Sequence, residues 1–425
     1  MVGTFRVRIE DALRSLFPDV LAGCAVGIFS VSEGMAFATV GGFPPAVGLY
    51  AGIIPVVVAA LVTPNPLMIT TLTSAVALTA HAALERANLD PADPRAVAAL
   101  TFTVGLIMTV CAIARVGRLL TWIPRSALGG FSAAIALQIL VSGVGRATGA
   151  RCGGNTGLGC LTPLLTDPAR ASLADAGLAL FCLGLWYAMT AVPRLRAVAL
   201  PAAVVIAAVV VALTHLAVPI TATLGKMPHS LPGPVTPLWS LIPSLTPGAF
   251  MVAAAALAQA VSISSRLSED EPPRTGAVIV TQAAANLAGA FCHALPVGGS
   301  LSRSAVAVAA GGRSRWTGLF AGTALAGLVY LGSSWIGRIP LPAVGVLLAV
   351  IGAELLAARM AEAGSLASAS PSAFALFAGV FTLGIVGPVE YALVASIIAG
   401  LAVRAVEAIR VGQNSARARR SPGRA

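Results

Sequence analysis

The chain has 425 residues, of which 57% are hydrophobic and 10% are charged, and its formal net charge is +11. Soluble domains carry roughly 25% charged residues, so this composition excludes a soluble globular protein. The positive charge does not indicate a nucleic-acid partner, because the arginines cluster at the ends of apolar runs instead of along one face.

Apolar runs of about 20 residues recur along the chain, which is the length that crosses a hydrocarbon core of ~30 Å. The runs lack the alternation of strands, so we expect helices whose backbone amides are satisfied internally. The sequence therefore predicts an all-α polytopic membrane protein with about 14 transmembrane segments. In chain order we expect a tail (1–14), a first repeat with segments 1–7 (15–218), an external loop (219–245), a second repeat with segments 8–14 (246–408) and a basic tail (409–425).

Arginines flank these runs in groups that define an orientation. The groups are Arg6, Arg8 and Arg14; Arg115, Arg118 and Arg125; Arg194 and Arg196; Arg313 and Arg315; and Arg404, Arg410, Arg417, Arg419 and Arg420. Cytoplasmic loops carry such an excess, which fits an even number of spans. We expect an integral protein of the bacterial cytoplasmic membrane with both termini in the cytoplasm and no cleavable signal peptide.

Three short matches indicate that the two halves are related. "TLTSAVALTA" (71–80) resembles "SLSRSAVAVA" (300–309), "IPRSALG" (123–129) resembles "IPLPAVG" (339–345), and a polar residue, Glu33 or Gln259, lies in the first apolar run of each half. With an odd number of spans in each half, the second half enters the membrane from the opposite side. This is the inverted repeat of many secondary transporters.

Two segments, the third and the tenth, are too short to cross the membrane as single helices. "TTLTSAVALTAHAAL" and "GGSLSRSAVAVAAGG" each follow a proline-containing stretch and begin with small residues. We interpret each as an extended stretch followed by a half helix with a Ser or Thr cap. In an inverted repeat the two N-termini meet at mid-membrane, where their partial positive charges favour a bound anion.

Arg303 lies in the second of these segments with no acidic residue near it in sequence. A charge at the bilayer centre costs from ~3 to more than ~10 kcal/mol, so something must compensate it. Three arrangements would compensate the charge of Arg303: a bound anion, a permanent ion pair with Glu33, or a position of the side chain at the membrane surface.

Two motifs carry a family resemblance. "AGCAVGIFSVSEGMAFATVGGFPPAVGLYAGIIP" (22–55) resembles the first two spans of the sulfate permease (SulP) family of anion transporters. "LPVGGSLSRSAVAVAAGGRSRWTGLFAG" (295–322) resembles that family's Gly-Ser-Phe-Ser-Arg-Thr motif. The resemblance covers roughly 15–408 and implies two inverted repeats of seven segments. Segments 1–4 and 8–11 would form a core, which would move like an elevator against a gate made of segments 5–7 and 12–14.

The resemblance also implies an anion site between segments 3 and 10. Its candidate residues are Glu33, Phe37, Thr73, Ser74, Gln259, Ser300, Ser302 and Arg303. Thr71-Leu72 stands where the family has Gly-Pro before the half helix of segment 3, so the residue at which this half helix begins stays open. Gln259 lies in the region of segment 8 where a sodium-coupled branch of the family has an acidic residue, and this difference argues against sodium coupling. Both a proton and a sodium ion stay open as the coupling ion. The family's usual STAS domain has no counterpart after residue 408.

Each candidate also has a structural interpretation. Glu33 is a proton carrier, a counter-charge to Arg303 or the partner of a helix N-terminus. The serines donate to an oxyanion or let helices approach closely. Gln259 lines the site or bridges two helices, and Phe37 contacts the substrate or packs.

The leading prediction is a secondary transporter of a small anion such as sulfate, bicarbonate or a small dicarboxylate. An anion channel and a permease for a neutral nucleobase-like solute are the alternatives. We expect no enzymatic activity, cofactor or metal, because the spans offer no nucleophile–base pair and the four histidines are scattered without ligand spacing. The family also implies a homodimer through the gate, and Cys152 and Cys160 are candidates for a disulfide.

Overall fold

The computed structural model describes residues 2–116, 124–150, 172–193, 195–196, 199–224, 230–267 and 274–387, together with isolated residues between 392 and 402. Cys152 and Cys160, most of segment 14 and the tail 409–425 lie outside these residues. The predictions made on them therefore stay predictions.

The described chain consists of helices with two short strands. The first half contains α1 (Val2–Val40), α2 (Pro45–Tyr50), α3 (Ile54–Val62), β1 (Ile69–Thr71), α4 (Ser74–Arg86), α5 (Pro94–Ile113), α6 (Arg125–Thr148), α7 (Leu173–Thr190) and α8 (Ala199–Thr214). The second half contains α9 (Ile242–Leu267), α10 (Thr275–Ala290), β2 (Gly298–Ser300), α11 (Leu301–Ala309), α12 (Trp316–Ile336), α13 (Leu341–Ala369) and α14 (Pro371–Val386).

Two helices extend past predicted boundaries. The helix α1 begins at Val2 and includes the residues predicted as a tail, whereas its stretch long and apolar enough to span a membrane is Leu16–Val40. The helix α9 begins at Ile242, inside the segment 219–245 that the sequence predicts as an external loop. Pro243 then stands in the first turn, where the N–H that proline lacks would have no partner within the helix.

The lengths of the helices agree with a chain that crosses a bilayer many times. Among the described residues, seven segments are long and apolar enough to span a membrane, and three shorter helices of 10–17 residues are also apolar. Together with α4, α10 and α11 they correspond to thirteen of the predicted segments. The fourteenth falls in 388–408, mostly outside the described residues.

The two broken segments have the predicted form. Each is a three-residue strand followed by a short helix, and the break in the first half falls between Thr71 and Ser74. Thr73 caps α4 and Ser300 caps α11, so Ser74 is structurally equivalent to Leu301. The stretch Ser-Ala-Val-Ala, which begins at Ser74 in one segment and at Ser304 in the other, therefore lies three residues out of register between the two helices. The second match agrees with the structure, because Pro124 and Pro340 both cap the helices that follow them.

The helices pack into two groups. One group, here called the core, contains α1–α5 and α9–α12, and the other, the gate, contains α6–α8, α13 and α14. These groups match the division that the family resemblance implies. In the gate, α6 crosses α13 at Gly143, Gly345 and Gly352, where a Cβ atom would lie 2.3–2.4 Å from backbone nitrogen of the facing helix. Small residues thus allow the two backbones to touch.

A buried carboxylate joins the first core helix to the turn after α11. Asp19 Oδ1 accepts hydrogen bonds from the amides of Arg313 (2.7 Å) and Ser314 (2.9 Å) and from the Thr317 hydroxyl (2.7 Å). Its Oδ2 accepts one from Ser314 Oγ at 2.6 Å. Asp19 is 2% exposed, so the four donors satisfy an anion that would otherwise be costly to bury.

Candidate functional site

The site forms where the two broken segments cross. The strands β1 and β2 pair antiparallel, with Thr70 opposite Gly299, and every residue of both strands is buried. A Cβ atom on Gly299 would lie 2.8 Å from Ala260 Cα, so glycine lets this strand lie directly against α9. The pairing brings the N-termini of α4 and α11 to one place inside the protein.

Amide side chains of α10 hold this crossing in position. Val297 N donates a hydrogen bond to Asn286 Oδ1 at 2.9 Å, and Asn286 Nδ2 donates one to Val297 O at 3.0 Å. Gln282 Nε2 donates to Thr70 Oγ1 at 2.9 Å. These contacts satisfy backbone and hydroxyl groups that have no access to water at this depth.

The N-termini of α4 and α11 are capped in the same way. Thr73 Oγ1 accepts a hydrogen bond from Val76 N at 3.3 Å, and Ser300 Oγ accepts one from Arg303 N at 3.4 Å. Each cap satisfies the third amide of its helix and leaves the first two without partners inside the helix. Both helix ends therefore present amide donors and a partial positive charge.

Arg303 is the residue whose partner the sequence left open, and the structure shows the pair with Glu33. Arg303 Nε lies 3.2 Å from Glu33 Oε2, and neither side chain is exposed. Arg303 also donates from Nε to Ser30 Oγ (3.0 Å) and from Nη1 to Leu72 O (2.8 Å). The other carboxylate oxygen, Glu33 Oε1, accepts a hydrogen bond from Ser302 Oγ at 2.5 Å. The guanidinium is thus compensated inside the core.

A cavity of about 60 Å³ lies between the core and the gate, beside the two helix N-termini. The core contributes Phe37, Thr73, Ser74, Gln259, Ser262, Ile263, Gly299, Ser300, Leu301 and Ser302, and the gate contributes Phe131, Ser132, Ile135, Ala136, Ile139, Leu355 and Arg359. Six of the eight residues predicted from the sequence therefore lie together at one cavity. Glu33 and Arg303 lie behind its wall instead, and Ser302 connects Glu33 to the cavity.

Gln259 bridges two helices and also lines the cavity, so both of its proposed roles describe its position. Thr73 Oγ1 donates to Gln259 Oε1 at 2.9 Å, which joins α4 to α9. This bond uses the amide oxygen and leaves the amide nitrogen, a donor, available at the cavity.

The residues that the gate contributes to the site, above all Arg359, were not predicted from the sequence. Arg359 lies on α13, is 5% exposed and lines the cavity. Arg303 was singled out because no acidic residue lies near it in sequence, whereas Glu362 follows Arg359 by three residues, so the same signal does not select Arg359. In the described part of the chain, no group of three or more His, Cys, Asp or Glu side chains is arranged to hold a metal ion.

Apolar helices arranged as an inverted repeat around two broken helices define a polytopic membrane protein with the architecture of secondary transporters. The chain belongs to the sulfate permease family, whose model matches residues 16–380. The resemblance found in the sequence is therefore confirmed.

Two relatives illustrate the membership. A "Probable sulfate transporter" of Mycobacterium tuberculosis is 31% identical over 358 residues, which are 82% of this chain and 63% of that protein. Prestin of Danio rerio is 24% identical over 375 residues, which are 80% of this chain and 50% of prestin. The chain thus spans less than two thirds of the length of these relatives.

Solved structures share the fold. SLC26A9 matches with a TM-score of 0.78 at 17% identity, over 93% of this chain and 66% of that one. The transmembrane domain of BicA, a cyanobacterium bicarbonate transporter, matches with a TM-score of 0.71 at 18% identity, over 90% of this chain and 97% of that domain.

Proposed function

We propose that the protein is a secondary transporter that carries a small anion across the membrane. The observation that carries this proposal is the cavity between core and gate, into which α4 and α11 direct their N-termini. Two helix ends with free amides form a site for negative charge. Among the described residues that line the cavity there is no carboxylate to repel an anion.

The lining of the cavity favours a small anion over a neutral nucleobase, because two helix N-termini and one arginine lie at it. Its volume of about 60 Å³ exceeds the roughly 10–15 Å³ that one water molecule requires, so the cavity has room for a small solute. The names of the relatives point to the same class, since one is called a sulfate transporter and another a bicarbonate transporter.

An elevator motion of the core against the gate is the transport mechanism that we propose. The cavity lies at the boundary between the two groups of helices, so a displacement of one group would carry the bound anion with it. Each group has firm internal contacts: paired strands and the Asp19 hydrogen bonds in the core, and glycine crossings in the gate. Sliding at the boundary therefore disturbs fewer contacts than deformation within either group.

We retain three further predictions as parts of this proposal. Both termini lie in the cytoplasm, which the arginine distribution supports. A proton or a sodium ion couples to transport, and Glu33, a carboxylate one hydrogen bond away from the cavity, is the candidate carrier for a proton. The protein forms a homodimer through gate helices.

The test is uptake by the purified protein in proteoliposomes. Labelled sulfate and bicarbonate are offered under imposed sodium, proton and electrical gradients, with protein-free liposomes as the control. We expect saturable uptake of at least one of them that accelerates when the same anion is present on the far side. Flux that neither saturates nor accelerates would indicate a channel, and a folded protein that moves neither anion under any gradient would end the proposal.

A further inference from the structure

Arg359 is the charged side chain among the described residues that line the cavity. It belongs to α13 of the gate, whereas the helix N-termini that face the same cavity belong to the core. Its Nη1 donates to Glu362 Oε2 at 2.7 Å. Its Nε is buried and has no hydrogen-bond partner among the described residues. A buried guanidinium donor without a partner at the wall of a cavity indicates a ligand position.

The charge of Arg359 is less completely compensated than that of Arg303. Arg303 and Glu33 form a fully buried ion pair that does not line the cavity, although Arg303 Nη2 and Glu33 Oε2 also have no hydrogen-bond partner among the described residues. Glu362, in contrast, has 31% of its side chain exposed while Arg359 has 6%. Water competes for an exposed carboxylate and weakens the pair. An anion in the cavity can therefore replace part of that interaction at low cost.

We propose that Arg359 is the anion ligand supplied by the gate, a deepening that rests on the proposed function. The bound anion accepts hydrogen bonds from the amide ends of α4 and α11 on the core side and from the guanidinium on the gate side. A guanidinium can donate two parallel N–H bonds to one oxyanion, which favours an anion with several oxygens and a double charge. Arg359 is then a specificity-determining residue that strengthens binding of sulfate more than binding of a singly charged anion.

The experiment compares sulfate and nitrate transport by Arg359→Gln, Arg359→Lys and the wild type. Arg338→Gln is the matched control, because Arg338 is an exposed arginine on the segment between α12 and α13 and does not line the cavity. We expect Arg359→Gln to raise the KM for sulfate by about tenfold or more and the KM for nitrate by much less. Arg359→Lys keeps the charge and should lie between the two, and Arg338→Gln should match the wild type.

A second variant and a binding measurement separate a ligand from a structural role. Glu362→Gln removes the competing carboxylate, so its KM for sulfate should fall. Sulfate should raise the melting temperature of the wild type and of Arg338→Gln in detergent, and this rise should be lost in Arg359→Gln.

Three outcomes would overturn the inference: an unchanged sulfate KM in Arg359→Gln, equal losses for sulfate and nitrate, or a Glu362→Gln variant as impaired as Arg359→Gln. Any of these with an active wild type leaves the proposed function standing. A wild type that neither transports nor binds an anion would instead remove the proposed function itself.

Discussion

The guanidinium of Arg303 lies 3.2 Å from the carboxylate of Glu33, and no part of either side chain reaches solvent. The pair joins α11 to α1 across the centre of the core, and Ser302 donates to the second carboxylate oxygen. The permanent cation near the broken helices is therefore part of the scaffold that holds them. The anion that we propose to bind beside them does not have to neutralise it.

This relationship predicts a non-additive pair of mutations. Glu33→Gln and Arg303→Gln should each destabilise the protein by about 3–5 kcal/mol, because each leaves one buried charge without its partner. The double variant should lose less than the sum of the two. Thermal unfolding in detergent measures all three, with Ser30→Ala as a control that removes one hydrogen bond to Arg303. Purely additive losses would contradict the pairing.

The cap of α4 predicts a defect in both stability and transport. Thr73→Val should cost about 1 kcal/mol of stability through the lost cap. It should also raise the KM for the transported anion several-fold, since the same hydroxyl orients Gln259. Thr73→Ser should retain both properties. Thr109→Val, which removes a hydroxyl that bonds Gly105 O within α5, is the control expected to transport normally.

The gate crossing predicts that one methyl group is enough to disturb the gate. A Cβ atom at Gly143 would lie 2.3 Å from Ala349 N, so Gly143→Ala should destabilise the protein by about 1–3 kcal/mol. Gly184 in α7 has no atom within 4 Å of such a Cβ. Gly184→Ala should therefore be neutral or stabilise by about 0.5–1 kcal/mol. Thermal unfolding of both variants checks the prediction, and equal melting temperatures would refute it.

The Asp19 hydrogen bonds predict a protected turn. Asp19→Asn replaces with an amide nitrogen either the oxygen that accepts three hydrogen bonds or the oxygen that accepts one, and should cost about 1.5–3 kcal/mol at the turn. Trypsin should then cut faster at Arg313 and Arg315. Cleavage should occur only in vesicles whose cytoplasmic face is outward, which tests the orientation as well. Asp93→Asn, at the cap of α5, should leave the cleavage rate at these two arginines unchanged.

Local features of the fold could be predicted from the sequence. The half helices follow from short apolar runs that begin with capping residues, and their caps and strands appear in the structure. The spans follow from apolar length alone. The register of the repeat could not be predicted, because it depends on the pairing of β1 with β2, which lie far apart in the chain.

The candidate site could be predicted in part. The motifs led to Thr73, Ser74, Ser300 and Ser302, which the fold brings to one cavity. The partner of Arg303 could only be given as alternatives, since the distance between segments 1 and 10 is set by helix packing. Arg359 was missed because Glu354 and Glu362 lie near it in sequence, as in an ordinary charged helix face, and only the packing of α13 against the core shows that it lines the cavity.

The three-residue strands β1 and β2 join the two broken helices by backbone pairing. Ile69, Thr70 and Thr71 each pair with a residue of the second half. Neither half can therefore move its helix N-terminus away from the other without breaking the backbone hydrogen bonds between β1 and β2. In the elevator motion that we propose, an anion bound at this junction would therefore move together with both repeats, because the paired strands join them.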